Sequence, residues 1–176
     1  MPIVYGSRQN EARWALDPAM AYDRPVLEAM CQQMAGAKGA EAQRILDGQG
    51  GTVLEKLDEL LTTVIWRDPI YSSLLRFDAD GRRLHHYRFA RISPARAKSN
   101  RLAAHGSDVP YDEIDQRISR EMQQAFVEFA KAGVPRRLDG AAWPVFTAKD
   151  PKWVRVGDQV AFDTYRPEPL LAALRA

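Results

Sequence analysis

Apolar residues open the chain as a short block, Pro2-Ile3-Val4-Tyr5, closed by Gly6. An uninterrupted apolar run of this length is the signature of a strand covered on both faces of a parallel sheet, and residues 2–6 are read so. The spacing then changes to that of helices. Pro25 stands near the start of a segment in which Val26, Leu27, Met30 and Met34 recur at three- and four-residue intervals, and Gly36 can stop it. Residues 39–47 form a shorter helix. After Gly50-Gly51, Thr52 is a candidate N-cap with Glu55 three positions on, the capping-box pattern, and Val53, Leu57, Leu60, Leu61 and Val64 supply an apolar face. Asp68-Pro69 opens another short helix ending near Phe77, and Asp78-Ala79-Asp80-Gly81 is a turn.

Residues 83–91 alternate, Leu84, His86 and Arg88 against His85, Tyr87 and Phe89, with the aromatic content of a strand. Strand, helices, strand is a parallel crossover, which is right-handed in nearly all sheets. From Ser93 to Pro110 polar residues, proline and glycine dominate, so the segment reads as a long loop, the kind of place where function resides. Residues 112–132 are the strongest helix, with Ile114, Ile118, Met122, Ala125, Phe126 and Phe129 on one face and Gly133 and Pro135 at its end. Trp153–Val156, the pair Gly157-Asp158 and Gln159–Phe162 suggest a hairpin with a two-residue turn, and a short Leu/Ala helix follows Pro167. No repeat, low-complexity stretch or composition shift divides the 176 residues, so residues 1–176 are expected to form one domain of α/β class.

Charge narrows the partners. With 25 basic against 23 acidic residues the net charge is only +2, too weak a field to point to nucleic acid or a membrane surface. The stretch from Arg82 to Arg101 is basic, with Tyr87 and Phe89 interleaved, but a half-buried strand followed by a solvated loop accounts for it. No run approaches the roughly 18 apolar residues of a membrane span. The start lacks the basic segment and long apolar stretch of a signal peptide, which points to the cytoplasm. Cys31 is the single cysteine, excluding an intrachain disulfide and a cysteine zinc site. His85 and His86, adjacent on a strand, point to opposite faces and do not share a metal. No metal or cofactor is expected, and Trp66, Trp143 and Trp153 read as core or interface aromatics.

Two motifs remain. Gly6-Ser7-Arg8-Gln9-Asn10-Glu11 puts a carboxylate just beyond the carboxyl end of the first strand, where open α/β sheets build their sites. Ala104-His105-Gly106-Ser107-Asp108-Val109-Pro110-Tyr111 puts a histidine on the loop after the second strand. Taken singly, Glu11 is a solvated loop carboxylate and His105 a surface or satisfied core histidine. Together they resemble the type B carboxylesterases, the family of cholinesterases and bacterial para-nitrobenzyl esterases within the α/β-hydrolase fold. That family has a Gly-Ser/Thr-Asn-x-Asp-Glu-Gly segment after a strand and, later, a His-Gly-x-Asp/Glu-Leu-Pro-Tyr segment. Tyr87-Arg88-Phe89, the run from Phe126 to Pro135 and Trp143-Pro144-Val145-Phe146 extend the likeness in the right order. Departures from it include Asn10 for the usual Asp, Ala12 for glycine, and Asp112-Glu113 for an apolar pair.

The resemblance implies the C-terminal part of an α/β-hydrolase, a partial parallel sheet with crossover helices. It further implies Glu11 as the triad acid, orienting His105, and His105 as general base, in the order acid then histidine that this fold uses. The nucleophile is not here: the sequence has no Gly-x-Ser-x-Gly elbow and no triple-glycine oxyanion loop, and neither Ser7 nor Ser107 has the setting of an elbow serine. The expectation is therefore a shortened product of a longer esterase, or a chain that docks on an N-terminal esterase half or on a copy of itself. It would act on a small ester only once the site is completed. A non-catalytic binding or oligomerising module is the alternative.

Overall fold

A computed structural model describes residues 1–106 and 112–176. Among them four strands make one sheet in the order β1 (Ile3–Arg8), β2 (Leu84–Phe89), β3 (Lys152–Val156), β4 (Val160–Thr164). The first two pair in parallel, Ile3 opposite Leu84 through Arg8 opposite Phe89, as the crossover pattern requires. The hairpin is no separate unit: β3 lies parallel to β2, and β4 returns antiparallel to β3. Its turn holds three residues, Gly157, Asp158 and Gln159, rather than two, because Val156 pairs with Val160. Arg91 bonds the Asp158 carboxylate at 2.9 Å and Arg117 its carbonyl at 2.5 Å, while Gly157 N–H donates to the Gln159 carbonyl at 3.0 Å across the turn.

Expected full burial of the opening strand is not met. β1 continues to Arg8 and most of it is only partly covered, because it forms one edge of the sheet. β2, flanked on both sides, is the strand that is buried throughout except at Tyr87. The period of two sends Leu84, His86 and Arg88 to one face with Phe146, Trp153 and Tyr165, and Tyr87 and Phe89 to the other with Ile118, Trp143 and Val154. Gly6 sits directly opposite Tyr87, and a Cβ there would lie 2.1 Å from the ring. Since that ring is wedged edge-on against Trp143 and Phe126, Gly6→Ala is expected to destabilise the fold by about 1–3 kcal/mol, read as a lower urea midpoint. An unchanged midpoint would mean that the ring yields freely.

The helices are α1 (Arg24–Ala35), α2 (Gly39–Gly48), α3 (Val53–Thr62), α4 (Asp68–Ala79), α5 (Pro94–Lys98), α6 (Glu113–Ala132) and α7 (Pro169–Arg175). Thr52 and Glu55 form the reciprocal capping box at the head of α3. Leu27, Cys31, Leu46, Leu57, Leu60 and Leu170 pack α1, α2, α3 and α7 into a helical core beside the sheet. α3 and α4 are not separated by a loop: a π turn, Thr63–Arg67, joins them and turns Arg67 inward. The polar stretch after Ser93 contains the short helix α5, with Ser93 as N-cap and Pro94 in its first turn, so it is less loop-like than its composition suggests. α6 ends at Gly133 in the left-handed conformation as expected. Only part of its apolar face is buried: Ile118 and Ala125 are inside, whereas Ile114 and Phe126 stay exposed. No helix among the described residues is long and apolar enough to cross a membrane.

Candidate active site

β1 and β2 run side by side, so the loops that leave their carboxyl ends emerge at one edge of the sheet. Glu11 begins a 3-10 turn, Glu11–Ala15, directly beyond β1. Its carboxylate is buried, and Oε1 accepts the Arg8 backbone N–H at 2.7 Å. Oε2 faces His105, whose Nδ1 lies 3.1 Å away, across 94 positions of sequence. The acid is enclosed, with a side chain 5% exposed, while the imidazole it holds is 61% exposed. This gives the ring one fixed edge and one open edge. The ring proton belongs on Nδ1, since a carboxylate can only accept, and Nε2 then carries the free lone pair.

The two loops are stitched to each other. Asn10 N–H donates to the Ala103 carbonyl at 3.1 Å, and Gln9 N–H to the Phe89 carbonyl at 2.8 Å, extending the β1–β2 ladder into the acid loop. Arg13, itself buried, donates from Nε to the Asn100 carbonyl at 2.9 Å. The path to His105 passes through Asn100 and Leu102 at φ of 53° and 46°, the only non-glycine residues in the left-handed region among those described. Held this way, Ala103 and Ala104 are buried and His105 is turned back toward Glu11. Ala12 is not left-handed, so a methyl group at this position meets no backbone strain. Ser107, Asp108, Pro110 and Tyr111 of the histidine motif lie outside the described residues. Ser7 sits within β1, its hydroxyl buried, and not at a strand-to-helix turn.

Sequence reasoning missed the supports. Arg67, aimed inward by the π turn, donates to the Gln9 carbonyl at 2.8 Å and to Glu59 at 2.5 Å. Arg91 gathers Asp112 at 2.8 Å, Asp115 at 3.0 Å and Asp158 at 2.9 Å, while Asp112 caps α6 by accepting from Asp115 N–H. That gives the departure at Asp112 a local reason. Thus Arg88 and Arg91 of the basic stretch are buried in ion pairs rather than displayed. Arginine spacing in the sequence carries no sign of this, because the partners come from distant segments. A recess of about 470 Å³ opens beside His105, lined by Arg13, Trp14, Leu16 and Arg101 among others.

His85 and His86 are both buried and point to opposite faces as expected, each Nδ1 on a backbone carbonyl, of Pro144 at 3.0 Å and of Tyr5 at 3.1 Å. Burial pushes the His86 imidazole down to about 4, so it stays neutral. Among the described residues no group of three or more metal-ligating side chains is gathered. Trp143 and Trp153 are buried, Trp66 is half-buried, and the most exposed indole is Trp14, which the pattern of the sequence does not single out.

Residues 9–170 match the model of the carboxylesterase family. Comparison with curated protein sequences finds no match. Among solved structures the chain is similar to a PNB esterase, at 17% identity and a TM-score of 0.75 over 99% of this chain and 38% of that one. It is also similar to a thermophilic PNB esterase, at 17% identity and 0.73 over 98% and 38%. A carboxylesterase of Geobacillus stearothermophilus gives 18% identity and 0.77 over 98% and 40%. The chain thus spans about two fifths of the length of these structures, and at such identities the likeness concerns the fold.

Proposed function

The chain belongs to the carboxylesterase family, and from that premise we propose that Glu11 and His105 are the acid and general base of an ester-hydrolysing triad whose serine lies outside these 176 residues. The observation that carries this reading is the contact between Glu11 Oε2 and His105 Nδ1, made by loops leaving adjacent parallel strands. Neither loop brings it about locally. With Nδ1–H donated to the buried carboxylate, Nε2 is the basic nitrogen on the exposed side of the ring. There it would take the proton of a serine hydroxyl as that oxygen attacks the ester carbonyl, and return it to the leaving alcohol. Glu11 would stabilise the imidazolium formed in between.

The substrate class is a small carboxylic ester. The partner is the serine-bearing part of such an esterase, and the free edge of β1 is a suitable place for it, since an unpaired strand edge templates further pairing. By themselves these residues are expected to show no turnover at triad rates. Light scattering on the chain alone and after mixing with an esterase segment that carries the serine elbow and oxyanion loop tests the reading. A stable complex that gains nitrophenyl-ester hydrolysis is the expected result. A self-sufficient, inactive oligomer, or a complex that stays inactive, would leave an assembly module instead.

A further inference from the structure

We infer that Asp58, on α3, is a positioning residue for the triad acid, because its buried carboxylate holds the residues on both sides of Glu11. The inference rests on the reading of Glu11 and His105 given above. Asn10, before the acid, donates its side-chain amide to Asp58 Oδ2 at 2.8 Å. Ala12, after the acid, donates its backbone N–H to Thr62 Oγ1 at 3.0 Å, and Thr62 Oγ1 lies 3.1 Å from Asp58 Oδ1. The direction of this relay is forced. A backbone N–H can only donate, so the Thr62 hydroxyl accepts from Ala12 and gives its own proton to the carboxylate.

Asp58 and Thr62 are four residues apart, hence one turn apart on α3, and are 2% and 0% exposed. A carboxylate inside a helical core is costly unless its oxygens are occupied. Burial accordingly pushes the Asp58 carboxyl up, opposed by its bonds to Asn10 and Thr62 and by the Arg13 and Arg67 guanidinium groups. The helix does not need it: α3 is already capped by Thr52 and Glu55, and Asp58 sits mid-helix. Its Oδ2 instead meets Asn10 directly and its Oδ1 reaches Ala12 through Thr62, while the carboxylate of Glu11 is held by Arg8 N–H and faces His105. A displacement of about 1 Å at a catalytic group can cost about 10²-fold in rate, which is what the clamp would prevent.

The test reads the His105 ring by nitrogen-15 NMR of the folded chain, where the shifts of the two nitrogens report which one is protonated in the neutral ring. Wild-type protein is expected to hold the Nδ1–H tautomer and Glu11→Gln to lose it. Asp58→Ala and Thr62→Val are each expected to lose much of the Nδ1–H signal although neither touches His105. Asp58→Asn is expected to retain it, because an Asn10 amide turned end for end restores the bond. Thr62→Val, close in shape, serves if Asp58→Ala does not fold. A Glu11→Gln change that leaves the tautomer unaltered would sink the acid–histidine pair itself. A normal Glu11→Gln effect combined with a wild-type tautomer in folded Asp58→Ala, or in Thr62→Val where Asp58→Ala does not fold, would sink the role of Asp58 alone.

Discussion

Exchanging Glu11 for glutamine is expected to cut ester turnover of the completed site by about 10⁴-fold, the scale seen when an acid-to-amide change reverses the histidine tautomer of a triad. The geometry makes the reversal hard to avoid. Glu11 Oε1 accepts the Arg8 N–H, a donor that cannot turn round, so the amide of a glutamine must put its oxygen there. Its NH2 then faces His105 Nδ1, which becomes an acceptor, and the ring proton moves to Nε2, where the proposed mechanism would have the serine proton received. Since side-chain volume and the Arg8 bond are retained, the loss should fall on kcat with little change in KM or in folding. Steady-state kinetics with a nitrophenyl ester check this. Turnover that stays within tenfold of wild type would mean that Glu11 does not orient the catalytic base.

Glu168→Ala is expected to destabilise the fold by about 3–5 kcal/mol, the usual cost of removing one member of a buried ion pair. Arg88 lies on β2 with its side chain only 4% exposed, and Glu168, just before α7, is its hydrogen-bonded carboxylate. Arg67 approaches the same oxygen at 4.0 Å, and Tyr165 donates its hydroxyl to the other at 3.3 Å. Arg88 also stacks over Trp153 and Tyr165, so it cannot swing to water when its partner is gone. Burial pushes the Tyr165 hydroxyl up to about 12, and it stays neutral. The deletion would therefore strand a buried guanidinium, and the denaturant midpoint should fall accordingly. A shift under about 1 kcal/mol would place the pair among surface bridges of little consequence.

The same network sets the acid limb of stability. Burial would raise the Glu168 carboxyl, but Arg88 and Arg67 hold it below its ordinary 4.5. A lowered carboxyl contributes stability that is present above the unfolded value and lost as pH falls through the folded one. His86 acts in the same sense: at about 4 when folded against an ordinary 6.5, the unfolded chain binds the proton first, so stability declines as pH falls from 6.5 to about 4. Glu168→Ala should flatten the part below 4.5 and, since the Glu168 carboxylate raises the His86 imidazole, make the His86 decline somewhat larger rather than abolish it.

How far the site was legible follows from what each residue needs. Glu11 and His105 were readable as candidates because both stand in local motifs, Glu11 just beyond the first strand and His105 on the longer segment that follows the second. The α/β class, the capping box at Thr52 and the end of α6 at Gly133 were readable for the same reason, since they depend on neighbours within a turn of chain. Periodicity was right about β2 and wrong about how deeply β1 is covered, because burial of a strand depends on how many neighbours it has and not on its own residues. The turn length at Gly157-Asp158-Gln159 escaped for a similar reason, since the register of β3 against β4 and the bonds of Arg91 and Arg117 to Asp158 involve distant residues.

Sequence alone thus determined which residue types were available for proton transfer and which segments could carry them. Tertiary structure decided that Glu11 and His105 meet at 3.1 Å, that Asp58 and Thr62 grip the acid loop, and that Arg67, Arg88 and Arg91 are spent inward. These depend on contacts between segments tens of residues apart. A helix that reads as apolar on one face gives no local sign that two polar residues on it will be buried against a distant loop, because the cost of burying them is offset only by partners that the fold itself brings in.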